Sequence, residues 1–333
     1  MSKSYEPPYK ITQSILNLVS QISERLGRIK VNSDITAVPN LRRGNRIKTI
    51  QASLAIEGNT LNLEQVTAVI SGKRVLGQPR EIQEVRNAFM AYEELPNWSP
   101  YSRKDILSAH ALLMAGLVNE AGHFRSGSVG IQRGKEMVHV APPADRVPGL
   151  VADLLKWLKN TKEHPLVASC VFHYEFEFIH PFQDGNGRIG RLWQTLILSR
   201  WRPLFALLPV ESVVCDRQRD YYKALSQSDE CANASVFVEF MLNAILDAMK
   251  EMELPAEQVT EQVTEQVKRL LKVMNKGTYS ARELMAKLNL SHRPTFLYSY
   301  LRPALDAGLI VMTHSDTPCA RNQKYKLHSP DIK

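Results

Sequence analysis

The sequence predicts a mainly α-helical protein in two parts. Three observations carry that expectation. Apolar residues recur at three- and four-residue spacing through most of the chain. Alternating β-branched runs are rare, and Gly and Pro gather in a few turns. Near residue 251 the composition shifts to a short EQVT repeat, which separates a long first part from a short second one. With 333 residues the chain has length for about two domains and a sizeable core. A net charge of +8 permits acidic partners without requiring them. Cys170, Cys215, Cys231 and Cys319 show neither C-x-x-C nor metal-ligand spacing, so they read as reduced thiols of a cytoplasmic protein. No apolar run approaches the ~18 residues of a membrane span. MSKSYEPPYK lacks the apolar stretch of a secretion signal, so neither membrane insertion nor export is expected.

Taken in order, Pro7-Pro8 make the start an extended arm. Residues 11–30 place Ile11, Ile15, Leu16, Val19, Ile22 and Leu26 on one helical stripe. After a loop, 41–57 reads as a helix with a basic start that closes at Gly58. Thr60 or Asn62 can cap a helix running to Gly72, and further helices are expected at 80–95 and 102–117. His110 lies within an apolar face and reads as a packing residue. The helical period then breaks. Glycines at 122, 127, 130 and 134 and a turn at Arg133–Lys135 predict a β-hairpin, closed by Pro142-Pro143. Helices resume at 149–160, 165–179, 192–208, 216–225 and 235–252, with His173 and Glu175 as core residues of the second. Residues 251–268 read as a linker helix whose Val259, Val263 and Val267 make a narrow stripe, open to a homodimer contact. In 269–333 a short helix at 279–288, a longer one from Arg293 and strands at 310–313 and 324–327 complete the second part.

The chemistry concentrates in HPFQDGNGRIGR, residues 180–191, between two apolar runs. His180 can take a proton near neutral pH. Asp184 is a hard oxygen ligand suited to Mg²⁺. Gly185, Asn186 and Gly187 can offer backbone N–H groups to oxyanions, at the start of a helix whose first N–H groups are free. Arg188 and Arg191, three apart, are neighbouring guanidinium forks suited to phosphate. The set reads as a site for a nucleotide polyphosphate, a metal and a general base.

This string resembles the signature of Fic (filamentation-induced-by-cAMP) proteins, H-x-F-x-D-G-N-G-R-x-x-R, at every fixed position. The resemblance implies a Fic-type helical core with transfer of AMP from ATP to a protein hydroxyl. His180 would be the base and Asp184 would hold Mg²⁺. Gly185, Asn186, Gly187 and Gly190 would belong to the phosphate cradle, and Arg188 and Arg191 would hold the outer phosphates. Upstream, SLAIEG resembles the family's inhibitory motif, with Ser53 and Glu57 on one helical face of a segment spanning about 41–58. It implies that Glu57 pairs with Arg191 and misplaces ATP, or alternatively that Glu57 positions a water that removes AMP. Gly122-His123-Phe124-Arg125 and Pro142-Pro143 resemble the flanks of the family's flap, here about 128–141. Met137, Val138, His139 and Val140 would dock the target as an added strand. Tyr221 and Tyr222 resemble a Y-Y-x-x-L string of which one Tyr, here Tyr222 for preference, borders the adenosine pocket while the other packs, whereas Asp229 stands where some relatives carry Asn. The domains implied are 1–100 with the inhibitory helix, a catalytic core at 101–250, the 251–268 linker and a module at 269–333. That last module resembles a winged helix, with DNA or protein as its partner and Arg293, Tyr298, Arg302 and Arg321 as candidate contacts. The target is a protein of unknown identity, this chain itself included.

Overall fold

The computed structural model describes residues 5–31, 39–128, 130–133, 136–253, 265–274, 277–290, 292–306, 308–313 and 323–328; over 130–133 and 136–140 it describes the backbone alone. The described chain is mainly helical. It divides into two units, one of residues 1–31 and 45–252 and one of 32–44 and 253–333.

The first unit is built on two helices buried along most of their length, α7 (Pro165–Ile179) and α8 (Asn186–Trp201). α7 is largely apolar and has to be enclosed, whereas α8 buries Asn186, Arg188, Arg191 and Gln194 together with its apolar residues. Around this pair stand α1 (Gln13–Val31), α2 (Pro39–Ile56), α3 (Leu63–Ile70), α4 (Pro79–Glu94), α5 (Arg103–Leu113) and α6 (Val147–Asn160). After it come α9 (Val210–Asp216), α10 (Gln218–Glu230) and α11 (Ser235–Glu253). The N-terminal arm is fixed by backbone pairing: Ala234 N–H donates to the Pro8 carbonyl, and Lys10 N–H to Ser235 Oγ. Side-chain caps set several starts. Asn62 and Gln65 form a capping box on α3, and Ser102 caps α5.

Several polar residues of α7 find partners inside the core, His173 first among them. His173 Nδ1 lies 2.7 Å from Gln194 Oε1, an acceptor, so Nδ1 carries the proton and Nε2 accepts from the Tyr221 hydroxyl at 3.2 Å. Burial pushes His173 down to about 3, so it stays neutral. Gly190 lets α7 and α8 approach, because a Cβ there would lie 2.8 Å from Glu177 Oε1 and from His173 Cδ2.

The expected hairpin is present as β1 (Gly130–Arg133) and β2 (Glu136–Val140), antiparallel, with Ile131 opposite His139 and Gln132 opposite Met137. Val138 is therefore the extra residue of a bulge. Backbone of β2 lies beside α10.

The second unit has its own core, which includes Leu270, Leu284, Phe296, Tyr300, Ile310 and Tyr325. Most of the expected linker lies outside the described residues. From Glu265 the chain is α12 (Glu265–Met274), whose Val267, Leu270 and Met274 belong to this core. A strand that the sequence reading lacked, β3 (Thr278–Ser280), precedes α13 (Ala281–Lys287). The next helix, α14, runs as Arg293–Phe296, a π-turn at Leu297–Leu301, and Arg302–Asp306. β4 (Ile310–Met312) and β5 (Lys324–Leu327) close a sheet of order β3-β5-β4, antiparallel at both pairings.

Gly190→Ala is expected to lower stability by about 1–3 kcal/mol, because the added methyl has no room between two buried helices. Urea unfolding followed by circular dichroism measures it.

Candidate active site

The 180–191 stretch ends one core helix and begins the next. His180 caps α7 in the left-handed region, at φ 48° and ψ 63°. That conformation is costly for a side chain and needs surrounding support. Arg125 supplies it. Its Nε donates to the His180 carbonyl at 2.7 Å, its other nitrogens donate to the carbonyls of Gly127, Pro142 and Ile179, and its own N–H donates to the Pro181 carbonyl. One buried guanidinium thus ties the His180 turn to the segments on both sides of the hairpin. All its side-chain acceptors are neutral, and burial lowers its pKa.

Asn186 fixes the middle of the loop. Its Oδ1 accepts from Phe182 N–H at 2.8 Å and its Nδ2 donates to the Phe182 carbonyl at 2.9 Å. The side chain faces the loop itself, and what Asn186 can offer an anion is its backbone N–H. His110 fixes the far end. Gly122 N–H donates to His110 Nδ1, so Nε2 carries the proton and donates to the Asp184 carbonyl at 2.9 Å. The imidazole stacks on Phe182 with centroids 3.7 Å apart, and burial lowers its pKa, so it remains neutral. The packing role read from the sequence holds, and this loop contact adds to it. Gly185, φ 86°, starts α8; a Cβ there would meet Met114 Sδ at 2.7 Å.

Arg191, 2% exposed, is held from α2 by three contacts. Its Nε donates to Ser53 Oγ at 3.1 Å and its Nη2 to the Ser53 carbonyl at 3.0 Å. Nη2 also pairs with Glu57 Oε1 at 2.7 Å. Glu57, 27% exposed on its side chain, lies over the first turn of α8. A Cβ at Gly187 would be 2.5 Å from Glu57 Oε1. The carboxylate therefore sits where a helix N-terminus attracts an anion. Burial works against the charge on Arg191, yet Glu57, Tyr221 and Glu177 around it hold its pKa above the ordinary value.

The end of the Glu57 segment is secured elsewhere. Gln218 Nε2 and the Tyr222 hydroxyl donate to the Ile56 carbonyl at 2.7 and 3.4 Å. Asn59 N–H donates back to the Leu54 carbonyl across Gly58, φ 91°. Asn59 Nδ2 donates to Glu84 Oε2 at 2.8 Å.

Glu84 belongs to a closed ring of charges at the mouth of the loop. Arg188 Nη2 meets Asp184 Oδ1 at 2.8 Å and Arg188 Nη1 meets Glu84 Oε1 at 3.4 Å. Arg80 completes the ring, 3.3 Å from Asp184 Oδ2 and 3.6 Å from Glu84 Oε1. Arg80 is 56% exposed and Asp184 39%, whereas Arg188 is buried. Among the described residues no three His, Cys, Asp or Glu side chains gather as a metal cage. A single half-exposed carboxylate fits a cation that keeps waters and phosphate oxygens as its other ligands.

The structure thus brings Ser53, Glu57, His180, Asp184 to Gly187, Arg188, Gly190 and Arg191 to the facing ends of α2, α7 and α8. Gly190 serves the helix contact, below the loop. Tyr221, the less favoured candidate at the nucleotide, is buried beneath the site with its hydroxyl on His173, and its neighbour Tyr222 reaches the α2 end. Asp229 accepts from the Tyr174 hydroxyl at 2.8 Å. The side chains of Met137, Val138, His139 and Val140 lie outside the described residues. Arg80, Glu84 and Arg125 are site residues that the sequence reading did not name as such. Arg125 alone had a signal, its place in the Gly-x-Phe-Arg string.

A helical core that presents a histidine, a carboxylate and two guanidiniums around one helix N-terminus defines a phosphate-handling protein. The comparisons narrow the class. Residues 100–198 match the Fic/DOC family, and 265–328 match the C-terminal domain of filamentation-induced-by-cAMP Fic-like proteins. The crystal structure of a Fic family protein from Desulfovibrio desulfuricans is 59% identical, covers 99% of this chain and 100% of its own, and superposes with a TM-score of 0.73. The chain belongs to the Fic family. A protein adenylyltransferase of Caenorhabditis briggsae, fic-1, is 33% identical over 203 residues, 57% of this chain. The match spans 38% of that relative's length. A structure of Fic-1 from Caenorhabditis elegans, at 23% identity and a TM-score of 0.58, shares the fold over 74% of this chain.

Two outcomes are expected. Glu57→Gln strips a buried arginine of its counter-charge and should cost about 3 kcal/mol. Mg·ATP should raise the melting temperature of this variant more than that of wild type. The second concerns Glu177, whose buried Oε1 has no hydrogen-bond partner and whose pKa burial pushes up to about 8. A raised carboxyl keeps its proton in the fold after the unfolded chain has lost its own, from 4.5 upward. Its contribution is therefore full below 4.5 and lost as pH rises towards about 8. Wild type should lose stability relative to Glu177→Gln across that window, read from urea midpoints.

Proposed function

We propose that this chain is a protein adenylyltransferase that transfers AMP from ATP to a Ser, Thr or Tyr hydroxyl, and that Glu57 holds it in check. The observation that carries the reading is the Glu57–Arg191 pair at 2.7 Å, a carboxylate lodged on the anion site of α8. Relatives named protein adenylyltransferase support the chemistry, and the Fic/DOC match at 100–198 contains this loop.

In this reading the N–H groups of Gly185–Gly187 and the start of α8 receive the phosphates. Asp184 would hold Mg²⁺, which when bound would supply positive charge against the negative charge of the leaving pyrophosphate. Of the two guanidiniums on Asp184, the exposed Arg80 at 3.3 Å is the one that would yield to such a cation, and the buried Arg188 would stay. His180 takes the proton of the target hydroxyl, whose oxygen bonds to the α-phosphorus as the bond to the β-phosphate oxygen breaks. Arg125 keeps His180 in place for this step. The target segment lies along the β1–β2 hairpin, in register with its edge. Glu57 on Arg191 removes the guanidinium that would align the outermost phosphate, so ATP can enter without being held for in-line attack. Among the described residues no helix is long and apolar enough to cross a membrane. Cys170, Cys215 and Cys231 are free thiols, which supports a cytoplasmic enzyme, where ATP is abundant.

Incubation with α-labelled ATP and Mg²⁺ tests the reading. Glu57→Gly should raise label incorporation into itself or lysate proteins at least tenfold over wild type, and His180→Ala in the same background should remove it. No gain from Glu57→Gly would sink the inhibition; label retained without His180 would sink the base.

A further inference from the structure

The charge of the chain is unevenly placed. Residues 265–328 hold eleven Lys and Arg against four Asp and Glu, so this stretch carries seven of the eight net positive charges. Its described basic side chains are exposed, Lys268, Lys272, Arg282, Arg293, Arg302 and Lys326 among them. Glu283 is taken up by the capping box on Ser280. None of the exposed large apolar side chains of the described residues falls in this unit. A strongly basic surface without an apolar anchor suits a polyanion better than a protein groove or a lipid interior.

The geometry points to double-stranded DNA as that polyanion. α13 ends at Leu288; Asn289, φ 54°, turns the chain in the left-handed region, with Leu290 N–H donating to the Met285 carbonyl. α14 follows at once, so the two helices form a helix–turn–helix. α14 contains two prolines and continues through both. Pro294 sits in the first turn, where no N–H is needed. The wide turn Leu297–Leu301, with Arg302 N–H on the Leu297 carbonyl, precedes Pro303 and lets the helix continue to Asp306. Phe296, Tyr300, Leu301 and Ala304 face the core, while His292, Arg293, Thr295 and Arg302 stay exposed. A helix that shows cations and hydrogen-bonding groups outward, beginning at its N-terminal end, fits a major groove.

We infer that residues 265–328 bind duplex DNA through the exposed side of α14, a property independent of AMP transfer. The test is fluorescence anisotropy of the full chain with a labelled duplex of about two helical turns. With roughly four phosphate contacts, affinity should fall about a hundredfold between 50 and 200 mM salt. The pair Arg293→Glu and Arg302→Glu should abolish binding, whereas Lys268→Glu with Lys272→Glu on α12 should weaken it less than threefold. Circular dichroism melts of both pairs check that the fold survives. No binding at 50 mM salt, equal loss from both pairs, or tighter binding to a single-stranded RNA of the same length would each overturn the assignment.

Discussion

Arg191 is the constraint around which the first unit is arranged. A guanidinium 2% exposed must keep its charge in a poorly solvated place, and only a close anion makes that tolerable. At present the anion is Glu57. The ordinary cost of removing one partner of such a pair, about 3–5 kcal/mol, is large enough to hold α2 in place. A polyphosphate arriving at the start of α8 brings the same kind of charge to the same guanidinium. Under the proposed function, inhibition would need no lid: Glu57 and a polyphosphate would compete for one buried cation, and the helix N-terminus would favour either.

The loop itself is built to stay put while that competition runs. Asn186 closes it on Phe182, His110 holds the Asp184 carbonyl, and Arg125 holds the His180 carbonyl. None of these side chains needs a ligand to complete its bonds. The parts free to respond are at the surface, in the Arg80–Glu84–Arg188–Asp184 ring, where the exposed contacts are the long ones. Glu84 also binds Asn59, two residues past Glu57. The charged ring at Asp184 and the segment that carries Glu57 therefore share a partner.

Much of this was legible in the sequence, and the reasons differ by residue. The core helices declare themselves by apolar spacing, and the loop by its density of distinct functional groups. The Ser53–Glu57 spacing predicts one face of a helix, and both side chains reach Arg191. What was not legible is what depends on long-range packing. Arg80 and Glu84 lie about a hundred residues from the loop they border, and nothing local marks them. Tyr221 and Tyr222 are adjacent in sequence and touch edge to face, yet their hydroxyls go to different partners, one to His173 in the core and one to the α2 end. In the second unit, the π-turn that lets α14 continue past Pro303 is reported by no spacing rule. Strand β3, three residues long, is too short to show a period.

The most direct measurement is a double-variant comparison of AMP incorporation rates. The gain caused by Glu57→Gly is measured once with Arg191 intact and once with Arg191→Lys, which keeps the charge but loses the fork. If Glu57 acts by occupying Arg191, the gain should be large in the first background and shrink to near unity in the second. An equal gain in both would mean that Glu57 restrains the enzyme through some other group, and the account built on Arg191 would be wrong.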